Sequence, residues 1–159
     1  MTGPLVRHER VNLLARGVID AAVEVHRCLG PGLLEAAYAE CLCHELRMRG
    51  LVFDRAPSLP LRYKGHPIVC ECRHDLVVGG CVVVEVEAGH TAVPLHAARL
   101  ATGLRLRALP LGLLINFNVP DLRSGVLRLA GPAACVVGSR VRLHLAAAAR
   151  GSGAARATI

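Results

Sequence analysis

The stretch DLVVGGCVVVEVEAGH, residues 75–90, sets a Gly79-Gly80 turn signal between two β-prone runs and places two acids, Glu85 and Glu87, one residue apart. Strand residues two apart point the same way, so Glu85 and Glu87 share a face. Two like charges side by side on a sheet are unfavourable unless something uses them. The register of the hairpin decides what stands beside them. A two-residue loop pairs His74 with Glu85 and turns Asp75 to the opposite face. A three-residue loop, Val78 to Gly80 with Gly80 left-handed as in a G1 bulge, sets Asp75, Glu85 and Glu87 on one face. The bulged hairpin is expected. It gathers three carboxylates, the composition of a site for Mg²⁺ or Mn²⁺. A metal held there polarises a phosphodiester and activates water for in-line attack. The alternative is that the acids pair with nearby arginines, Arg73 and Arg99 among them.

Working outward, Val11, Leu14, Val18, Ala22, Val25 and Leu29 recur at intervals of three and four, the mark of an amphipathic helix. The GPG of residues 30–32 ends it. A second helix is expected from about Leu33 to Arg49, with Gly50 as its C-cap. Short β-prone pieces follow, LVFDR, LPLRYKG, PIVCECRHDLVV and CVVVEVEA, and then a loop and a third helix in HTAVPLHAARLATGLRLR. The wholly apolar ALPLGLLINFN reads as a central strand. This order predicts a mixed β-sheet flanked by helices. It is α/β if the late strand pairs parallel to an earlier one and borders on α+β otherwise. Residues 1–130 are expected to form one domain, and 131–159 a C-terminal extension, partly disordered.

Composition narrows the function classes. The chain is 53% hydrophobic and 3% aromatic, so Val, Leu and Ala must fill the core. No apolar run reaches the eighteen or so residues of a membrane span, and the N-terminus is too charged for a secretory signal. A cytoplasmic protein without membrane contact is expected. Seven scattered cysteines fit reduced thiols better than a disulfide framework. Cys70, Cys72 and His74 share a strand face that could suggest zinc, but CxxC spacing is absent and buried thiols are the favoured reading. The net charge is +7, carried almost wholly by arginine, since Lys64 is the only lysine. A basic chain suits a polyanionic partner such as DNA or RNA.

Several ordered motifs then carry a resemblance. Gly32, Glu35 and Tyr38 form the pattern GxxExxY, followed by YKG, DLVV, VVVEVEA and LGLLINFNVP. Over residues 8–128 the chain resembles the bacterial GxxExxY proteins, a branch of the PD-(D/E)XK nuclease-like superfamily. The resemblance implies a restriction-endonuclease-like core. It also implies that an Asp, the acid of (D/E)xK and a helix Glu hold a divalent metal, while the lysine positions or activates the attacking water. These roles fall on Asp75, Glu85 and Glu35 for the metal. The lysine position is Glu87, a departure. A following helix in many relatives carries a Gln and, four residues on, a Tyr, which here are Arg99 and Gly103. Arg99 could reach the space of the missing lysine and pair with Glu87, restoring a cation that cannot act as a base. Lys64, on another strand, is a poor substitute.

The remaining candidates have plainer readings. Glu35 could simply complement the dipole of its helix. Tyr38 is expected to pack with its hydroxyl bonded locally. His26 and His96, the latter placed before the third helix, read as satisfied, partly buried histidines, and Asn116 and Asn118 as loop caps. Three functions fit the whole. The first is a metal-dependent nuclease-like domain, acting on DNA or RNA, weakened or silenced by Glu87. The second is a non-catalytic nucleic-acid-binding or protein-interaction module on the same fold. The third is a small-molecule metalloenzyme, for which no residue names a substrate.

Overall fold

A computed structural model describes residues 4–59, 61–68, 75–89 and 93–132. The zinc reading of Cys70, Cys72 and His74, the partner Arg73 and the extension after residue 132 lie outside these residues. Helix α1, Pro4–Leu29, buries Val11, Ala15, Val18, Ala22 and Val25, one stripe at intervals of three and four. Helix α2, Glu35–Met48, starts two residues later than the sequence suggested, with Leu34 at the N-cap. It buries Tyr38, Leu42, Cys43 and Leu46. Gly50, with φ 68°, closes it as expected: Gly50 N donates to Arg47 O and Leu51 N to Leu46 O, a Schellman closure.

Strands β1 (Phe53–Arg55), β4 (Leu76–Val78), β5 (Val82–Glu87), β6 (Leu111–Asn116) and β7 (Val126–Ala130) form one sheet in the order β1-β4-β5-β6-β7. Strands β2 (Leu61–Tyr63) and β3 (His66–Ile68) make a separate two-stranded sheet. Within the larger sheet β5 and β6 are parallel, joined through helix α3, Val93–Arg107; the other pairings are antiparallel. The late apolar strand therefore does pair parallel, and the fold is α/β with a mixed sheet. Strand β7 was not foreseen. Its short alternation of exposed and half-buried residues is an edge strand's weak signature.

Helices cover both faces. Val82, Val84 and Val86 of β5 join Leu76 and Val78 of β4 in the core beneath α1 and α2. Val77, Val83 and Leu114 pack instead against Leu100 and Leu104 of α3. Tyr38 stacks on Phe117 with ring centroids 4.5 Å apart, tying α2 to the end of β6. The alternation along β5 thus sends Val83, Glu85 and Glu87 to the α3 face. At Gly112, opposite Val83, α3 packs tightly on the sheet: a Cβ there would lie 2.8 Å from Leu100 Cδ1.

The β4–β5 hairpin has a three-residue loop, but it spans Gly79–Cys81 rather than Val78–Gly80, because Val78 pairs with Val82. Both glycines are left-handed, at φ 57° and 66°, and Cys81 N donates to Val78 O. Gly79 also lies against Leu14 of α1, where a Cβ would come within 2.6 Å of Cδ1. That contact seats the turn one residue later than expected. The parity that matters is unchanged: continuing the register one pair past Leu76 and Val84 sets Asp75 opposite Glu85.

Candidate active site on the α3 face

Three acids and one arginine meet where β4 and β5 pass under α3. Asp75 stands just before β4, and its Oδ2 accepts a hydrogen bond from Val86 N at 2.7 Å. Glu85 and Glu87 are 3% and 8% exposed, so both side chains carry ionisable groups into the protein. Arg99 answers from α3. Its Nη2 donates to Glu87 Oε1 at 3.0 Å and lies 3.5 Å from Glu85 Oε2, while its side chain is 56% exposed. The Arg99–Glu87 pairing anticipated from the two departures is therefore present. It neutralises acids that would otherwise repel one another in a poorly hydrated place.

His96 was misplaced by the sequence reading, which set it before the third helix. It lies in the first turn of α3, three residues ahead of Arg99 on the same helical side, with Nδ1 against Glu87 Oε1. Arg99 Nη2 is 3.4 Å from that Nδ1. The i, i+3 spacing of His96 and Arg99 was the available signal, usable only once the start of the helix was known.

Glu35, the first residue of α2, comes from the opposite helical layer. It lines a cavity of about 330 Å³ together with Leu33, Leu34, Glu87, Ala88, Gly89 and His96. Burial pushes its carboxyl up, and Glu87, Asp75 and Glu85 push it further while Arg99 opposes them. Asp75 is likewise raised, first by burial and then by Glu85 and Glu87, against the Val86 N–H and Arg99. The four carboxylates therefore sense one another as one anionic cluster. All-oxygen donors of this kind have the chemistry of a hard divalent cation site. Among the described residues, however, no three His, Cys, Asp or Glu side chains are gathered so as to hold a metal ion. Among the described residues, Arg99 is the arginine that meets both Glu85 and Glu87.

The other candidates settle into structural roles. Tyr38 Oη donates to Gly30 O at 2.5 Å and accepts from Leu33 N at 3.1 Å, clamping the turn that leads to Glu35. His26 Nε2 bonds Val119 O at 2.8 Å. Asn116 caps Gly89 O and accepts from Asn118 N. Gly103 is buried in α3, and Lys64 sits in the β2–β3 turn rather than on a strand. A second cavity, about 550 Å³ between α1 and α2, has Cys28, Cys41 and His44 on its walls. Its acids Glu24, Glu40 and Glu45 are paired with Arg27, Arg55 and Arg49.

A family model described as the PD-(D/E)XK nuclease superfamily matches residues 12–129, most of the chain. The chain belongs to the PD-(D/E)XK nuclease superfamily. Searches among curated proteins and among solved structures returned no match. The five-stranded mixed sheet with helices on both faces is consistent with the restriction-endonuclease-like fold of the superfamily. Membership makes a nucleic acid the substrate class to consider and a divalent metal the usual cofactor. No helix among the described residues is long and apolar enough to cross a membrane.

Proposed function

We propose that this chain, a GxxExxY-type branch of the superfamily on its motifs, engages nucleic acid through a nuclease fold whose cleavage is weakened or lost. The observation that supports this reading is Arg99, set 3.0 Å from Glu87 Oε1 and 3.5 Å from Glu85 Oε2. Asp75, Glu85 and Glu35 are the residues that would hold Mg²⁺ or Mn²⁺. When bound, the ion would polarise the phosphodiester and lower the pKa of its water. An ion and Arg99 compete for Glu85, which weakens binding. Glu87 stands where the superfamily's lysine is expected, and losing one such stabiliser of developing charge costs roughly 10²-fold or more in rate. Arg99 supplies positive charge in its place but stays protonated, so it cannot take a proton from water.

The same ion pair favours a second reading, a module that binds nucleic acid or a protein without turnover. Calorimetric titration with Mn²⁺ and Mg²⁺, with plasmid and RNA cleavage alongside, separates the two. Weak metal binding that Asp75→Ala abolishes, with slow cleavage that Glu87→Lys raises about 10²-fold or more, is the expected result. No metal binding and no cleavage in either protein would leave the module without turnover.

A further inference from the structure

We propose that the β2–β3 hairpin is a cationic ribbon that enters the major groove of duplex DNA and brings the phosphate backbone toward the acids around Asp75. This rests on the nucleic-acid reading above. Among the described residues the hairpin pairs only with itself, Leu61 with Ile68, Arg62 with Pro67 and Tyr63 with His66. Residues 62–68 are all exposed, and none is acidic. A lone two-stranded hairpin is marginally stable in water, so one that leaves both faces bare suits an external partner. Arg62 and Lys64, with no acid beside them on the hairpin, give that partner a sign: it is anionic. Tyr63, 64% exposed with the Lys64 ammonium 5.5 Å from its ring centroid, adds an aromatic surface among the charges.

The turn itself points outward at some conformational cost. Lys64 and Gly65 have φ of 48° and 83°, a two-residue loop of the type that favours Asn-Gly. The sole lysine of the chain thus occupies the apex in a backbone conformation that asparagine would adopt more readily.

The root is held where the acids are. Ala56 N donates to Asp75 O at 2.9 Å, so the chain departs for the ribbon and returns from it at one point beside Asp75. Arg107, at the end of α3, donates through Nη2 to Pro57 O at 2.7 Å and to Ser58 O at 2.6 Å. The helix that carries Arg99 and His96 over the acids therefore also grips the base of the ribbon. A B-form major groove, about 12 Å wide, admits a two-stranded ribbon, whereas the deep, narrow groove of A-form RNA does not. That difference selects duplex DNA.

The test is fluorescence anisotropy of a labelled DNA duplex against salt, comparing the wild type with the double variant Arg62→Gln/Lys64→Asn. Asparagine suits the turn, so the hairpin is retained while two charges are removed. The expected result is binding weakened about tenfold, with the log–log salt slope shallower by about 2. Arg27→Gln, whose arginine already pairs with Glu24, should bind like the wild type. A matched RNA duplex should bind more weakly, and the double variant should not change that. Unchanged DNA affinity and slope in the double variant would overturn the ribbon proposal. A wild type that binds no nucleic acid would overturn the function proposed above along with it.

Discussion

Asp75 is held between opposing demands. Burial and the neighbouring Glu85 and Glu87 raise its pKa, while the Val86 N–H and Arg99 work against them, and the balance is upward. A carboxyl harder to ionise in the fold than in the unfolded chain binds more protons when folded. It therefore opposes folding increasingly as pH rises from its unfolded value through its folded one, and the penalty vanishes below the unfolded value. Asp75→Asn keeps an oxygen for the Val86 N–H and removes the charge. It should melt higher than the wild type at pH 7, with the gap closing as pH falls toward about 4 in a series of thermal melts. Tyr38 makes a different demand, since its hydroxyl bonds both Gly30 O and Leu33 N. Tyr38→Phe should cost about 1–3 kcal/mol in denaturant unfolding, because it orphans two backbone groups ahead of Glu35.

Helix α3 is the element on which the cluster depends, and it is docked through a missing side chain. Gly112→Ala would bring a methyl within 2.8 Å of the fully buried Leu100, and a destabilisation of about 1–3 kcal/mol is expected in chemical denaturation. Displacing α3 would also loosen Arg99, so metal affinity measured in the same variant should rise as the competition from Arg99 weakens. The other end of α3 offers a gain. Ala108 closes the helix at φ 51°, with Leu109 N donating to Leu104 O, in the place where Gly50 closes α2. Ala108→Gly should raise stability by roughly 0.5 kcal/mol, relief of the left-handed backbone outweighing the added freedom of the unfolded chain. That closure could not be read from the sequence, since alanine carries no helix-end signal, whereas Gly50 could. The β4–β5 turn was legible in kind but displaced by one residue, because the contact between Gly79 and Leu14 is not a local property.

In the molecule as a whole, periodicity carried the architecture. The apolar run at Leu111–Asn116 marks a central strand, whose parallel pairing with β5 only the structure decides, and the alternation in VVVEVE places Glu85 and Glu87 on one face. Two things escaped. The edge strand β7 lacks enough buried positions to register as a pattern. That Arg99 reaches Glu85 and Glu87 at once, where the sequence offered such pairings only singly, depends on how closely α3 settles on Gly112, which is a packing distance rather than a spacing. One feature of the chain path reaches beyond this protein's own chemistry. The bond from Ala56 N to Asp75 O pinches off everything between those two residues. What lies inside such a pinch is a cassette. Its length or composition can drift, or be exchanged for another segment, at a closure cost that grows only with the logarithm of its length. The sheet and the placement of Asp75 stay as they are. A lineage built on this plan can vary the inserted segment while keeping its acid cluster, and an engineer can graft a new segment at the same two residues.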